Sequence, residues 1–328
     1  MTGGQKSPRR PRYAGTHPRR FSERYKELDP NRYAAEVEHI LDTGKTPAGS
    51  HRPIMVAEVL ACLRPVPGEI AVDCTLGGGG HAAAILDSIR PGGRLIGLDV
   101  DPIELPKTEA RLRACGIADD ALLIRQGNFA GIDRVLGELG IPGADIVLAD
   151  LGVSSMQLDN PARGFTYKEP GPLDLRMNPL RGEPAHALIG RLTEAQLSRM
   201  LSEHADEPHA DLIASLLKRK PIATTQALDR LVRTGVAAAH PRLGKPELKM
   251  SVRRTLQALR IAVNDEFSAL EALLRALPRV LNPGGRVAIL TFHSGEDRRV
   301  KKAFQAGHRA GVYAQIAKDV IRSSMAET

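Results

Sequence analysis

A run of four glycines, Gly77-Gly78-Gly79-Gly80, follows an apolar segment that ends at Asp73 and precedes a segment with helical periodicity. Glycines let the backbone approach a ligand closely, and the N-terminus of the following helix offers N–H groups without partners. Asp99 ends a second apolar segment about twenty residues later, where a carboxylate can accept hydrogen bonds from both hydroxyls of a ribose. The pattern predicts a nucleoside site. The alternative for Asp99 is a capping role, because Asp101-Pro102 follows.

Two ligands fit this pattern, a nicotinamide dinucleotide and S-adenosylmethionine. The loop does not match the G-x-G-x-x-G pattern of dinucleotide sites cleanly. S-adenosylmethionine carries a sulfonium and an ammonium, which nearby carboxylates serve well. Asp73 and Asp150, each at the end of a predicted strand, supply such carboxylates. The residues therefore favour the methyl donor, bound by Asp73, Gly77, Gly79, Gly80, Asp99 and Asp150.

Five apolar runs that alternate with helical segments must position these residues. They cover residues 69–73, 94–99, 121–126, 145–150 and 286–291. Runs without polar alternation suit strands that are buried on both faces of a parallel sheet. Pro-Gly-Gly turns precede the second and fifth runs. The pattern predicts a Rossmann-like, doubly wound α/β fold.

Residues 151–285 separate the fourth predicted strand from the fifth. A parallel crossover needs only a dozen or so residues, so a folded insertion must lie between these strands. A capping box at Thr193–Gln196 and leucines at spacings of three and four predict helices throughout. We predict an all-helical insertion over residues 160–255, with the crossover helix beginning near Val263.

The net charge of +8 is concentrated at the N-terminus. Six cations and no acid lie in the first twenty residues, so 8 − 6 leaves +2 for the rest of the chain. Residues 1–50 are predicted to be a basic extension, disordered in part, that is either solvated or binds phosphates without sequence preference. Cys62, Cys74 and Cys115 show no metal-ligand spacing, which predicts no metal and a reduced, cytoplasmic compartment. The sequence contains no run of about 18 apolar residues, so no membrane span is predicted.

Several ordered motifs resemble those of the MraW (RsmH) family of small-subunit (16S) ribosomal RNA cytosine-N4 methyltransferases. They lie at residues 51–54, 79–81, 150–159, 163–166, 171–177, 254–264 and 292–298. The resemblance covers about residues 51–304. It implies a class I methyltransferase domain over residues 51–159 and 256–328, with the insertion at 160–255 recognising RNA. It also implies S-adenosylmethionine as donor, no metal, and a cytidine amine in the decoding centre of the small ribosomal subunit as acceptor.

The resemblance also assigns donor contacts by position. These are Gly79, Gly80, His81, Asp99, Phe129, Asp150 and Gln157. From the residues alone, Phe129 is either a core side chain or an aromatic that flanks the adenine. Gln157 alone would be interpreted as a surface loop residue.

The chemistry expected of this family selects further candidates. An exocyclic amine must be held in line with the methyl group and needs an acceptor for its hydrogens. Asp150 is the first candidate, to orient either the amine or the donor's ammonium, followed by Ser154, His293 and Ser294. The alternative for His293 is a structural histidine.

RNA contacts are predicted at Arg163, Arg176, Arg260 and Asn264, because guanidinium groups pair well with phosphates. Arg176 has an alternative role in an ion pair with Asp174.

Three departures from the family pattern carry expectations. Gly295 replaces a hydrophobic residue and predicts a looser loop, and residues 204–208 replace a Tyr-Gly-Glu-Glu-like stretch expected to contact RNA. The sequence stops at Thr328 without the Asn-Pro-Arg-Ser-type segment that leads into the family's last strand, which predicts a shortened chain or a sheet that closes differently.

Three other functions stay open at this point: methylation of another RNA or protein amine, ribosome binding with a vestigial donor site, and hydride transfer. The oligomeric state is also open, a homodimer included.

Overall fold

The computed structural model describes residues 53–322. The basic extension and the helix expected near residues 31–41 lie outside these residues. The described part contains five strands, β1 (Ile70–Asp73), β2 (Arg94–Asp99), β3 (Leu122–Gln126), β4 (Ala144–Asp150) and β5 (Leu281–Leu290). They form one sheet in the order β3-β2-β1-β4-β5, and every neighbouring pair is parallel. The predicted α/β fold is confirmed.

The fifth strand begins earlier than expected. It starts at Leu281, which pairs with Ala144, and the register shifts so that Arg286 pairs with Ile146. The Pro283-Gly284-Gly285 segment, predicted as a turn before the strand, lies inside it as an irregularity. Gly284 has a φ of +79°, a left-handed conformation that glycine adopts without strain and that bulges use.

Helices cover both faces of the sheet, as a doubly wound fold requires. On one face lie α1 (Val56–Leu63), α2 (Gly80–Ile89) and α3 (Leu105–Ala114), which share an apolar cluster with Leu95 and Leu148. On the other face, α4 (Ile132–Glu138), α11 (Glu266–Val280) and α12 (Ser294–Arg309) pack against Val72 and Val147. In the part of the chain that the structure describes, no helix is long and apolar enough to cross a membrane.

Helices between β4 and β5 form an apolar core that is separate from the two clusters beside the sheet. They are α5 (Ser155–Asp159), α6 (Ala185–Arg191), α7 (Glu194–Ala205), α8 (Ala210–Lys218), α9 (Thr225–Ala239) and α10 (Lys245–Asn264). The core is built mainly from α6 to α10 and includes Leu201, Leu217, Leu228 and Leu259.

The insertion extends beyond the predicted boundary at residue 255. Leu256, Ala258 and Leu259 of α10 belong to its core. Asp265 has a left-handed conformation with a φ of 50° and separates α10 from α11. The crossover helix therefore begins at Glu266 and not near Val263, because one periodic apolar run spans two helices.

Candidate active site

Three aspartates lie at the carboxyl edge of adjacent strands. Asp73, Asp99 and Asp150 end β1, β2 and β4, and β1 lies between the other two strands. Burial raises the pKa of Asp73 to about 7, although a hydrogen bond from the Thr75 N–H opposes the rise; the negative charges of Asp150 and Asp99 raise it further. A sheet edge with this much negative charge fits a cationic ligand.

The glycine loop is fastened to the end of β2 and to α3. The Gly77 N–H donates to Asp99 Oδ2 at 2.7 Å, and Thr108 Oγ1 donates to the Gly77 carbonyl at 2.6 Å. Gly79 has a φ of +75°, and a Cβ there would come within 2.9 Å of Thr108 Cγ2. This close approach requires glycine at position 79.

Asp99 has the capping role that the sequence offered as the alternative, and it also holds the glycine loop. Its Oδ1 accepts a hydrogen bond from the Asp101 N–H at 2.9 Å, as a cap would, while Oδ2 holds the glycine loop. Burial raises the pKa of Asp99. Because each carboxylate oxygen has two lone pairs, the group retains acceptor capacity for ligand hydroxyls.

Asp150 carries a buried oxygen that no described residue satisfies. Its Oδ1 has no hydrogen-bond partner, while Oδ2 lies 3.8 Å from Nδ1 of His81. The other ring nitrogen of His81 lies 3.0 Å from the Ile54 carbonyl. Burial, followed by the negative charge of Glu296, raises the pKa of Asp150 to about 6. A buried polar atom without a partner in the native fold calls for an explanation, and the N–H of a bound ligand would supply one.

Ser154 and Gln157 form a capping box at the start of α5. Ser154 Oγ accepts from the Gln157 N–H, and the Gln157 side-chain oxygen accepts from the Ser154 N–H. Gln157 Nε2 also donates to Asp101 Oδ2 at 2.8 Å. Gln157 is thus buried and hydrogen-bonded to protein, not the surface residue that its sequence context alone suggested. Ser154 faces the glycine loop, with its Cβ 3.9 Å from the position of a Cβ on Gly77.

Glu296 organises the loop after β5, and sequence reasoning did not single it out. The side chain is buried, and its Oε2 accepts from the Phe292 N–H at 2.8 Å. Its Oε1 lies 3.2 Å from His293 Nε2, but neither ring nitrogen of His293 is aligned for a hydrogen bond with a described residue. The available signal was its place in the 292–298 motif, four residues after Phe292.

Phe292 was also missed as a candidate. The ring is 56% exposed although it stands at the carboxyl end of β5. Its Cδ2 lies 3.8 Å from the position of a Cβ on Gly152, in the loop that follows Asp150. An exposed aromatic residue therefore borders the loop after Asp150.

Gly295 does not loosen this loop, contrary to expectation. A Cβ at Gly295 would come within 2.6 Å of Phe267 Cζ and 3.2 Å of His293 Nδ1. The Phe267 ring, covered in turn by the Arg299 guanidinium at 3.6 Å, fills the space that a larger residue would need. The loop is packed by these neighbours instead.

Ser294 and the divergent segment at 204–208 contact each other. Ser294 Oγ donates to Asp206 Oδ2 at 2.9 Å, and Arg298 donates to the same carboxylate at 3.1 Å. His204 packs edge-on against Phe267, with ring centroids 5.4 Å apart. The Ser294 hydroxyl, predicted to be catalytic, is thus engaged by the insertion, and the two departures from the family pattern lie side by side.

All three of the predicted RNA-contacting arginines are engaged by protein carboxylates. Arg163 is buried and donates to Asp101 Oδ2 at 2.7 Å and to the Met177 carbonyl at 2.7 Å. Its prediction as a phosphate contact is corrected, because no exposed face remains. Arg176 forms the alternative ion pair with Asp174, through two hydrogen bonds of 2.8 Å.

Arg260 and Asn264 lie near the end of α10. Asn264 accepts from the Met177 N–H at 2.7 Å and donates to the Leu175 carbonyl at 2.8 Å, so its amide holds a loop of the insertion. Arg260 donates through Nε and Nη2 to Glu266, at 2.8 and 2.9 Å. Its Nη1 lies 3.9 Å from the position of a Cβ on Gly152. Of the four predicted contacts, Arg260 is the one that reaches the loop after Asp150.

Phe129 lies just after β3, beside the end of β2. Asn128 caps the short 3-10 helix Phe129–Gly131, and the Gly127 N–H donates to the Asp99 carbonyl at 2.8 Å. The Phe129 ring is partly buried against the apolar cluster beneath α11. Both interpretations, core and adenine contact, agree with this position.

Comparison with known proteins identifies close relatives over the whole chain. A model described as the MraW methylase family matches residues 48–321. A protein named ribosomal RNA small subunit methyltransferase H 2, from Alkaliphilus metalliredigens, is 48% identical over 98% of this chain and 93% of its own length. One named ribosomal RNA small subunit methyltransferase H 1, from Agathobacter rectalis, is 45% identical over 100% of this chain and 95% of its own length. The similarity includes both the sheet and the helical insertion.

Proposed function

The chain belongs to the MraW methylase family, and we propose that it methylates the exocyclic amine of a cytidine in small-subunit ribosomal RNA. The donor in this proposal is S-adenosylmethionine, and the target lies in the decoding centre. The site of action is the cytoplasm. The relatives are named as ribosomal RNA small subunit methyltransferases, and these names support the substrate class.

The unpartnered Oδ1 of Asp150 is the observation that carries this proposal. A buried carboxylate oxygen without a donor is costly, and it lies at the carboxyl edge of the sheet where α/β folds bind ligands. An amine N–H, from the target base or from the donor's amino acid portion, would satisfy it. The charge of Asp73 and Asp150 suits the sulfonium and ammonium of S-adenosylmethionine better than it suits a pyrophosphate.

The remaining donor contacts in this proposal are those that the family motifs assign. Asp99 accepts from the ribose hydroxyls, and the backbone of Gly79 and Gly80, where α2 begins, contacts the donor. Phe129 flanks the adenine beyond the end of β2. His81 lies behind the Asp150 carboxylate and fixes its orientation. Gln157 acts through Ser154 and Asp101, since its amide is engaged by both.

The loops after β4 and β5 form the side of the site that receives the target amine. S-adenosylmethionine, when bound, supplies a methyl group that the sulfonium already activates, so the proposed reaction requires no metal. In the first of its two candidate roles, Asp150 accepts an N–H of the target amine and so turns the nitrogen lone pair toward the methyl group. The S–C bond then breaks as the N–C bond forms, and the methylated amine loses a proton. Phe292 offers its exposed face to the target base, which must leave its stack to reach the site. Glu296 positions Phe292 through the backbone N–H that it binds.

Methyl transfer to purified small ribosomal subunits tests the proposal. Subunits that lack the modification are incubated with labelled S-adenosylmethionine and the protein, and nucleosides are analysed by mass spectrometry. We expect N4-methylated cytidine at one position, with D150N as the inactive comparison. Free ribosomal RNA and ribosomal protein fractions serve as parallel acceptors. Label in protein, in another nucleoside or in none of the acceptors would overturn the proposed function.

A further inference from the structure

Helix α10 exposes three cations in a row along one side. Lys245, Lys249 and Arg253 are spaced by four residues, and all three are exposed. None of them forms an ion pair or a side-chain hydrogen bond with any residue between 53 and 322. Four residues of α-helix rise by about 6 Å, which is close to the separation of successive phosphates along an RNA strand. We call these three residues the basic strip.

The basic strip leads toward the active site. Arg260 follows Arg253 by seven residues, or about 10 Å along the helix, and returns to the same side after two turns. Its Nη1 lies beside Gly152, in the loop that follows Asp150. A strand bound along α10 would therefore reach the pocket at the C-terminal end of this helix.

Further positive charge lies where α10 approaches the loop after β5. Arg254 and Arg298 both lie close to Asp206, whose pKa is lowered chiefly by hydrogen bonds from Arg298 and also by the charge of Arg254. Two arginines thus surround one carboxylate next to Ser294.

Cations four residues apart also occur on other helices, at Arg275 and Arg279 of α11 and at Arg298 and Lys302 of α12, but Arg279 pairs with Asp133 and Arg298 pairs with Asp206. Arg233 pairs with Asp229, and Lys301 pairs with Asp297, each four residues apart on one helix. On α10, Lys249 has a cation four residues before it and another four residues after it. Like charges at this spacing destabilise a helix. A solvated face of an ordinary helix has no need of this arrangement, whereas a polyanion neutralises it.

We propose that the basic strip binds the phosphate backbone of the RNA strand that carries the target base and directs that strand along α10 toward Arg260 and Asp150. This inference rests on the proposed function. The recognised chemistry is a row of phosphates, so the basic strip contributes affinity and register and not base preference.

Neutral substitution of the basic strip tests the proposal. The variant K245Q/K249Q/R253Q keeps good helix formers at exposed positions. The matched control R275Q/K302Q/R309Q removes three exposed cations without an ion pair or side-chain hydrogen bond in the described chain from α11 and α12. Each is assayed for the KM for small ribosomal subunits, for kcat, for donor affinity by calorimetry, and for the dependence of RNA affinity on salt.

We expect the strip variant to raise KM about tenfold or more. The negative slope of log affinity against log salt concentration should become shallower by about 2. Each phosphate that a cation no longer neutralises reduces its magnitude by roughly 0.7. Donor affinity, kcat at saturating subunits and the circular dichroism melt should match those of the wild type and of the control. Equal slopes and KM values for the two triple variants would overturn the proposal. If the wild-type protein methylates no RNA, the proposed function fails, while the salt slope for RNA binding still decides the role of the basic strip.

Discussion

Asp101 and Arg163 form a buried ion pair, with 2.7 Å between Oδ2 and Nη1 and side-chain exposures of 1% and 6%. The Asp101 carboxylate also accepts from the Ile103 N–H and from Gln157 Nε2. Arg163 extends the network to the Met177 carbonyl. The network joins the loop after β2, the helix α5 that follows the site, and the start of the insertion, so it holds the insertion against the donor edge of the sheet.

Loss of Arg163 should destabilise the fold strongly. R163A leaves the Asp101 carboxylate buried without its cation, and removing one partner of a buried pair costs about 3–5 kcal/mol. The measurement is urea unfolding of the donor-free protein. R191A is the control, because the Arg191–Glu183 pair is largely exposed and such pairs contribute little to stability. Equal losses for the two variants would refute a structural role for Arg163.

Removal of the Asp150 charge should abolish methyl transfer. D150N weakens the acceptor at the unpartnered Oδ1, and loss of such a group lowers rates by about 100-fold or more. Donor affinity separates the two roles that stay open: a tenfold or larger rise in the donor Kd assigns Asp150 to the ammonium, and an unchanged Kd assigns it to the target amine. D87N, at an exposed surface position, should behave as the wild type. A D150N enzyme that retains full kcat would remove Asp150 from the site.

Activity should rise with pH through the ionisation of Asp150. Burial and Glu296 raise its pKa to about 6, so the carboxylate that accepts an N–H forms only as pH increases through that value. We expect kcat/KM, which reports the free enzyme, to increase between about pH 5 and 7 and then to level off. E296Q removes the neighbouring negative charge while its amide oxygen can still accept from the Phe292 N–H. The rising limb should therefore move to lower pH in E296Q, and a shift to higher pH or none at all would contradict the coupling.

The sequence predicted those features whose partners lie close along the chain. The glycine loop, the ends of β1, β2 and β4, and the capping box at Thr193 each depend on a short segment. The role of Arg163 did not follow, because its partner Asp101 lies 62 residues away and only the fold brings them together. The space at Gly295 is likewise filled by Phe267, from another helix. The sequence did not reveal the helix boundary at Asp265, because the apolar residues keep the same helical spacing through both successive helices.

Asp73 should make the donor-free protein less stable as pH rises. Its pKa is raised from 3.8 to about 7 in the fold, chiefly by burial. A raised pKa means that the folded state holds the proton more tightly; this contribution is complete below about pH 4 and is lost as pH rises through about 7. D73N removes the titration and can still accept from the Thr75 N–H. The free energy of unfolding of D73N minus that of the wild type should therefore grow between pH 5 and 8, by about 3 kcal/mol. A difference that stays constant with pH would show that Asp73 is ionised throughout.

Truncation of Phe292 should impair use of the RNA substrate without affecting the donor site. The ring is exposed beside Gly152, whereas the backbone N–H that Glu296 binds remains in F292A. Stacking of a base on an aromatic ring contributes about 1–3 kcal/mol, so kcat/KM for small ribosomal subunits should fall by about 5- to 150-fold. F292Y should retain most of the activity, because it keeps the aromatic face. L180A removes another exposed apolar side chain and serves as the control for surface hydrophobicity. Wild-type kcat/KM in F292A, or an equal loss in L180A, would exclude Phe292 as the surface on which the target base stacks.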